Sequence, residues 1–198
     1  MNLHQRPIRS RPYHHGDLGK ALREAASAIL ESEGLEALSL RSVARRAGVS
    51  HAAPYRHYSN REALLADVAV AGFEHLRAEL VQAAAAPGQE ADRIAHIGAA
   101  YVRFAAHHGG LLRLMFGPQL PNRSEFPALA GAADAIGEEI GKALGDTALG
   151  LAVWATVHGL SMLILEDVID LGQRQSGFDV LPSRAEILLR SLFNRIAA

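Results

Sequence analysis

The sequence predicts an all-α protein of about nine helices. Apolar residues recur at helical spacing in most segments, whereas no run alternates cleanly between apolar and polar residues as a half-buried strand would. Capping residues begin many of these segments, and glycine or proline ends several of them. The hydrophobic fraction of 49% over 198 residues is enough to fill a sizeable core.

The first two predicted helices have clear start and stop signals. Asp17 is placed to cap a helix whose apolar stripe continues until Gly34. Ser39 is placed to cap a second helix over residues 40–47, which Gly48 ends because glycine adopts positive φ at little cost.

A third short helix is predicted from Ser50 to about Tyr58, although it contains Pro54. Proline lacks a backbone N–H and usually breaks a helix interior. With Ser50 as the cap, Pro54 is only the fourth helical residue, so we expect a distorted first turn and not a broken helix.

The rest of the chain divides into one long helix and five further helical segments. Ser59 and Glu62 have capping-box spacing, and the long helix they begin runs to about Ala86, before Pro87-Gly88. We therefore expect an N-terminal domain over residues 1–61 and a second domain over 62–198, joined by the helix of residues 59–86. The further segments are residues 94–108, 111–116, 128–144, 146–171 and 183–198.

Charge is distributed unevenly along the chain. Residues 1–61 carry ten Lys and Arg against five Asp and Glu, a net charge of +5, whereas residues 62–198 carry ten against sixteen, a net charge of −6. A basic N-terminal third suggests a polyanionic partner for that part, and ordinary surface variation is the alternative. The absence of cysteine excludes disulfides and thiolate chemistry and, with no signal peptide predicted, leads us to expect a cytoplasmic protein.

One segment approaches the length of a membrane span. Residues 147–165 are uncharged, but they include Thr156, His158 and Ser161, and no Lys or Arg adjoins them. We therefore interpret this segment as a helix buried within protein and expect no membrane association.

Residues 39–58 have the layout of a helix-turn-helix, in which the second helix enters the major groove with its N-terminus first. The early residues of that helix are His51, Ala52 and Ala53, and small side chains let a backbone approach the bases closely. Polar groups suited to phosphates follow. A merely solvated polar face is the alternative interpretation. The polar residues are Tyr55, Arg56, His57 and Arg61.

The segment "LSLRSVARRAGVSHAAPYRHYSNREALLADV" resembles the DNA-binding domain of the TetR/AcrR family of transcriptional regulators. The shared features are the turn "AGVS", the run "YRHY" and the sequence "REALL". A weaker resemblance, Trp154 followed by His158 and Gly159, is to a C-terminal domain of the Trp-x-x-x-His-Gly (WHG) type.

The resemblance implies specific DNA contacts. His51, Ala52, Ala53 and Arg56 would face the groove, and Pro54 and Tyr58 depart from the residues common in the family. A basic arm with Arg6, Arg9 and Arg11 would follow the minor groove or backbone, or be disordered. The implied phosphate contacts are Ser39, Arg41, Tyr55, His57 and Arg61.

For the second domain, the resemblance implies a homodimer, an inverted-repeat operator on double-stranded DNA and a small-molecule effector that releases a repressor. The dimer would use the helices of residues 146–171 and 183–197, and the apolar stripe of the last helix agrees with such burial. That stripe is Ile187, Leu188, Leu192 and Ile196. Candidate ligand-lining residues are Tyr101, Phe104, Met115, Phe116, Trp154, His158 and Met162.

The alternative function is a metal- or histidine-dependent sensor or enzyme. The chain has ten His, and the most obvious candidates among them are His14-His15, His107-His108 and His158. However, it contains no HExxH motif and no nucleophile elbow. We therefore expect no enzymatic activity, no cofactor and no metal site.

Overall fold

The computed structural model describes residues 18–120 and 123–196. Within these ranges the chain contains only helical elements, as predicted. Asp17, the arm arginines Arg6, Arg9 and Arg11, and the side chain of Ile196 lie outside what the structure describes. The nine α-helices of the described ranges are α1 (Leu18–Glu33), α2 (Leu40–Arg46), α3 (Arg61–Ala84), α4 (Glu90–His107), α5 (Gly109–Phe116), α6 (Pro127–Leu144), α7 (Thr147–Leu165), α8 (Gln173–Ser176) and α9 (Leu181–Ile196).

Helix α2 begins and ends as the sequence predicts. The Ser39 hydroxyl accepts a hydrogen bond from the Ser42 N–H, and the Ser42 hydroxyl accepts one from the Ser39 N–H. This reciprocal pair satisfies two donors that would otherwise be unpaired at the helix start. Gly48 follows α2 with a φ of 69°, which turns the chain towards the next element.

The predicted third helix is wrong in its form, because residues 50–58 contain only a 3₁₀-helix, Pro54–Arg56. Ala53 N–H donates to the Ser50 carbonyl at 2.9 Å, and Arg56 N–H donates to the Ala53 carbonyl at 3.2 Å. Pro54 cannot make the α-helical bond to Ser50 because it has no N–H. The segment therefore uses the tighter i→i−3 pattern.

The long helix α3 is capped by Asn60 and not by Ser59 as predicted. The Asn60 side chain accepts a hydrogen bond from the Ala63 N–H at 2.8 Å. Helix α3 packs against α1 as well as against α4 and α6, so one helix is shared by both parts of the chain.

Helix α7 ends at Leu165, six residues before the predicted end at Leu171. Asp167 has a φ of 56°, which turns the backbone out of the helix, and Arg174 holds it there with a hydrogen bond of 2.9 Å to its carboxylate. The other helix boundaries lie within four residues of the predictions. The loop after Leu171 also contains α8 and a 3₁₀-helix, Phe178–Val180.

The second part of the chain is built around α4, which packs against α3, α7 and α9. Helices α6 and α7 come into backbone contact at Gly141 and Gly150, where an added Cβ on Gly150 would lie 2.5 Å from Gly141 Cα. This close approach lets the Trp154 ring lie directly over Gly137.

Candidate nucleic-acid interface and ligand site

Residues 50–58, which we call the recognition segment, are anchored at two points. Pro54 and Tyr58 are buried, whereas most of the other side chains face outward. The anchors therefore fix the backbone while the polar residues remain free to contact a partner. The exposed predicted contacts are His51, Ala52, Tyr55, Arg56 and His57, and Ala53 is half-buried.

The Tyr58 anchor is part of a three-way junction that sequence analysis missed. Its hydroxyl donates a hydrogen bond to the Asp67 carboxylate at 2.6 Å, and Arg23 contacts the same oxygen at 3.1 Å. Burial, with the bond to the carboxylate, raises the pKa of Tyr58. The junction joins α1, the recognition segment and α3, and it gives a structural reason for tyrosine at position 58.

A shallow depression lies between α2 and the recognition segment. Among the predicted contacts, Arg41 and His51 are exposed there, while the Ser39 hydroxyl is engaged in the helix cap. Arg45 lies in the same depression and was not predicted as a contact. Since none of the lining residues is acidic, the depression favours an anion such as phosphate. The lining is Ser39, Arg41, Ser42, Arg45 and His51.

Arg61 has a structural task in addition to its predicted phosphate contact. Its Nε donates to the Leu38 carbonyl at 2.8 Å, and one Nη donates to the Leu35 carbonyl at 2.9 Å. These bonds tie the start of α3 to the 3₁₀-helix Leu35–Ala37, which precedes α2. The phosphate contact remains a prediction.

Four of the predicted ligand-lining residues meet in one place. The Tyr101 hydroxyl lies 2.9 Å from His158 Nδ1, and the Phe116 ring centroid lies 4.3 Å from that of His158 and 6.1 Å from that of Trp154. Phe73 of α3, which was not predicted, contacts Phe116 edge-on at 5.1 Å. We call these five residues the aromatic cluster.

The other three predicted lining residues lie elsewhere or beside the aromatic cluster. Phe104 packs against His75 and His108, with ring centroids 5.4 and 4.9 Å away. Met115 is fully buried and faces Gly72 of α3. Met162 is half-buried against the core.

The titratable members of the aromatic cluster are neutral around pH 7. Burial raises the pKa of Tyr101, and burial lowers the pKa of His158. Trp154 Nε1 and Ser161 Oγ are buried and have no hydrogen-bond partner among the described residues. Such unpaired polar atoms in a native core call for an explanation.

Helices α7 and α9 each expose apolar side chains to solvent in the single chain. Only 28% of the most apolar part of α7 is buried in the single chain, whereas the sequence predicts a helix buried within protein. By length and composition α7 could also cross a membrane, which is weak evidence taken alone. The exposed apolar side chains are Leu151 and Leu163 on α7, and Ile187, Leu188 and Leu192 on α9.

The described residues contain no group of three or more His, Asp or Glu that could hold a metal ion. Glu79 lies 3.3 Å from His75 and forms an ion pair with Arg103 at 3.2 Å, so it is engaged in surface contacts. No observation in the described parts of the chain favours the metal-dependent alternative.

Two family models match the chain. Residues 22–68 match the model described as bacterial regulatory proteins, tetR family. Residues 94–179 match the model described as tetracyclin repressor-like, C-terminal domain. A comparison with curated proteins gave no significant match.

Solved structures with the same fold cover nearly the whole chain. A protein with unknown function from Rhodococcus sp. RHA1 is 33% identical, with a TM-score of 0.67, over 92% of this chain and 98% of its own. A transcriptional regulator of the TetR/AcrR family from Thermobifida fusca is 17% identical, with a TM-score of 0.65, over 88% and 97%.

A bacterial regulatory protein in the tetR family from Rhodococcus RHA1 is 22% identical, with a TM-score of 0.61, over 87% of this chain and 95% of its own. The two family models and the shared helical architecture thus agree on both halves of the molecule. The chain belongs to the tetR family of bacterial regulatory proteins, with a DNA-binding N-terminal domain and a tetracyclin repressor-like C-terminal domain.

Proposed function

We propose that the protein is a cytoplasmic, ligand-released transcriptional repressor that binds an inverted-repeat operator as a homodimer. The observation that carries this proposal is the recognition segment, which offers His51, Tyr55, Arg56 and His57 to solvent on a backbone anchored by buried residues. Exposed imidazole, hydroxyl and guanidinium groups beside arginines suit phosphates and base edges.

Within this scheme the contacts divide into two kinds. His51, Ala52, Ala53 and Arg56 read base edges in the major groove, where an arginine side chain such as that of Arg56 suits guanine. The others contact phosphates and fix the register of the domain on DNA. The phosphate contacts are Ser39, Arg41, Arg45, Tyr55, His57 and Arg61.

The exposed apolar surface of α7 and α9 supports the homodimer. Pairing these two helices with their counterparts in a second copy would form a four-helix bundle and cover Leu151 and Ile187, which are 59% and 68% exposed. A two-fold dimer places two recognition segments on successive major grooves, which requires an operator with matching symmetry.

Release of DNA follows from a population shift. A ligand that binds one separation of the two DNA-binding domains better than the other moves the equilibrium towards that state. The aromatic cluster is the proposed site, because α5 carries Phe116 at one end and lies close to α1 at the other. The WHG-type residues Trp154 and His158 both belong to that cluster.

A mobility-shift assay with DNA from upstream of the protein's own gene tests the proposal. We expect a saturable complex whose log affinity falls linearly with log salt concentration. Arg56→Ala should weaken binding and relax specificity at one position of each half-site, whereas Arg41→Ala should weaken all sequences alike. Absent binding, or binding insensitive to salt, would refute the proposal.

The matched control is Arg46→Ala. Arg46 also lies on α2, but it pairs with Glu33 at 3.0 Å on the side of α1. We therefore expect this variant to bind DNA as the unmodified protein does, and a loss as large as that of Arg41→Ala would contradict the assigned contact surface.

A further inference from the structure

Two depressions lie along the seam between α3 and α6, and one ion pair separates them. Arg77 of α3 contacts Glu139 of α6 at 3.2 Å, and each depression has a residue of this pair in its wall. The first has a volume of about 240 Å³ and is lined by Val70, Phe73, Glu74, Arg77, Ala128, Ala132 and Ala135.

The first depression leads towards the aromatic cluster. Phe73 forms part of its wall and contacts Phe116 at 5.1 Å, and Phe116 in turn contacts His158. Phe73 is thus a wall of the depression and a member of the aromatic cluster at the same time. Rotation of two aromatic rings is a small change compared with moving a helix.

The α6 wall of the depression is built from small side chains. Ala128, Ala132 and Ala135 line it, and Gly137, two residues beyond Ala135, supports the Trp154 ring. Charged groups occur at the depression only as Glu74 and Arg77, which are both exposed. A ligand that moves from the depression towards the aromatic cluster therefore passes from the charged side chains of Glu74 and Arg77 to apolar side chains.

The cluster itself offers hydrogen-bond donors without any charge. Tryptophan can only donate, and the Trp154 N–H makes no hydrogen bond of normal geometry among the described residues. It is nevertheless close enough to the Tyr101 hydroxyl to oppose in part the rise in the pKa of Tyr101 that burial causes. Ser161, two turns farther along α7, is 1% exposed and also has an unpaired hydroxyl. Leaving such donors unpaired costs free energy, which an acceptor atom on a ligand would recover.

A charged ligand would bind unfavourably at the aromatic cluster. Tyr101 is protonated and His158 is neutral, so no member of the aromatic cluster supplies a countercharge. Moving an ion from water into such surroundings is far more costly than moving a neutral molecule.

We infer that the effector is an uncharged, mainly apolar molecule with a hydrogen-bond acceptor such as a carbonyl oxygen. It enters between α3 and α6, stacks against Phe116 and accepts a hydrogen bond from Trp154 Nε1. This inference rests on the proposed function only in taking the bound molecule to be the effector.

Four small probes of matched shape test the inference on the full chain at pH 7.5. Acetophenone is neutral and has a carbonyl acceptor, ethylbenzene lacks the acceptor, benzoate is an anion and benzylammonium is a cation. Trp154 is the only tryptophan of the chain, so its fluorescence reports on this site alone. Thermal shifts measured with the same probes give an independent readout.

We expect saturable quenching by acetophenone, with an affinity about threefold to tenfold above that of ethylbenzene, as one net hydrogen bond predicts. Benzoate and benzylammonium should bind at least about tenfold more weakly than acetophenone. Equal affinities for acetophenone and either ion, equal affinities for acetophenone and ethylbenzene, or no response to any probe would overturn the inference.

Variants separate the donor from the general apolar environment. Trp154→Phe keeps an aromatic ring but removes the N–H, so the thermal shift by acetophenone should fall to that by ethylbenzene. Thr156→Ala is the control on the same helix, because the Thr156 hydroxyl bonds the Ala152 carbonyl within α7. Ala132→Leu, which fills the entry depression, should slow the association of acetophenone without lowering the thermal stability of the free protein.

The two proposals fail separately. DNA binding without any probe tests the proposed function, and probe binding without DNA tests the present inference. Release of a bound DNA fragment by acetophenone but not by benzoate would connect the two. Binding of acetophenone that leaves the DNA complex intact would overturn its assignment to an effector site.

Discussion

The Glu31 carboxylate accepts a hydrogen bond from the backbone N–H of Gly110 at 3.2 Å, which ties the end of α1 to the first turn of α5. Its second oxygen accepts a bond from the Leu111 N–H at 3.1 Å. An anionic group at a helix N-terminus is favourable because it meets unpaired N–H groups and the positive end of the helix dipole. The DNA-binding part and the C-terminal part are thereby joined directly, in addition to their shared helix α3.

Gly110→Ala tests this contact between the two parts. An added Cβ would lie 2.7 Å from the Leu30 carbonyl oxygen, so α1 and α5 would have to separate. We expect the free energy of unfolding to fall by about 1–3 kcal/mol, as for other overpacked sites. Urea denaturation measures this change.

Gly131→Ala provides the control for that substitution. Gly131 lies in α6, and an added Cβ meets no atom within 4 Å, so alanine should stabilise the helix by about 0.5–1 kcal/mol. If both glycine variants changed stability in the same direction, the close approach of α1 and α5 would not be the cause.

Arg61→Ala should destabilise the fold as well as weaken DNA binding. The substitution leaves the Leu35 and Leu38 carbonyls without their charged partner, at a cost of about 1.5–3 kcal/mol. Thermal unfolding and DNA affinity should therefore be measured together. A variant with unchanged stability and weaker DNA binding would show that phosphate contact is the whole role of Arg61.

Arg45→Ala is the comparison for Arg61. Arg45 is exposed, so we expect the free energy of unfolding of this variant to differ from that of the unmodified protein by no more than about 0.5 kcal/mol. If Arg45 contacts one phosphate, the slope of log affinity against log salt should decrease by about 0.9.

Local signals in the sequence were enough for most of the helices and for the turn after α2. Ser39 and Gly48 act within a few residues of themselves, so their roles follow from residue type and position. The form of residues 50–58 could not be predicted in the same way. The missing N–H of Pro54 removes only one α-helical bond, so residue type alone does not decide between an α-helix and a 3₁₀-helix. The fixed position of Tyr58, whose hydroxyl meets Asp67 of α3 beside Arg23 of α1, also constrains the segment.

Contacts between distant residues account for the parts of the site that sequence analysis missed. Arg23 and Asp67 are 44 residues apart, and each resembles an ordinary surface residue of an amphipathic helix. Phe73 likewise looked like one more apolar residue of a long helix. Trp154 and His158 could be proposed because they form a recognisable motif, but their meeting with Phe116 depends on the packing of α5 against α7.

Ile187→Glu should convert the proposed dimer to a monomer. Ile187 is 68% exposed in the single chain, so glutamate is tolerated there, whereas burial of its charge in an interface is costly. Light scattering should give half the mass of the unmodified protein. Truncation before α9 would be a poor test because Leu181, Ala185 and Leu189 of that helix are fully buried in the core.

Val81→Glu is the control for the dimer test. Val81 is 46% exposed at the end of α3, away from α7 and α9, so this variant should keep the mass of the unmodified protein. A folded Ile187→Glu variant that retained the dimer mass would contradict the proposed interface.

Stability should decrease as the pH falls below about 6.5. Burial lowers the pKa of His158 and is also the main cause of the lowered pKa of His108. Below the unfolded pKa of about 6.5 the unfolded chain binds protons that the folded chain does not, and this favours unfolding. Stability continues to fall until the pH reaches the pKa values of these two histidines in the folded protein.

Urea denaturation at pH 7.5 and 5.5 measures this effect. His158→Gln should show a smaller loss of stability between the two pH values than the unmodified protein. His51→Gln, at an exposed position, should lose as much stability between the two pH values as the unmodified protein does. An unchanged pH dependence in His158→Gln would mean that His158 does not contribute to it.

The anchoring of the recognition segment has a consequence for how such a regulator evolves. Pro54 and Tyr58 hold the backbone, whereas His51, Ala52 and Arg56 make no contribution to the core. Exchanges at the latter positions therefore alter the preferred operator with little effect on folding. After gene duplication, such a copy could acquire new target promoters by a few substitutions while keeping the same architecture.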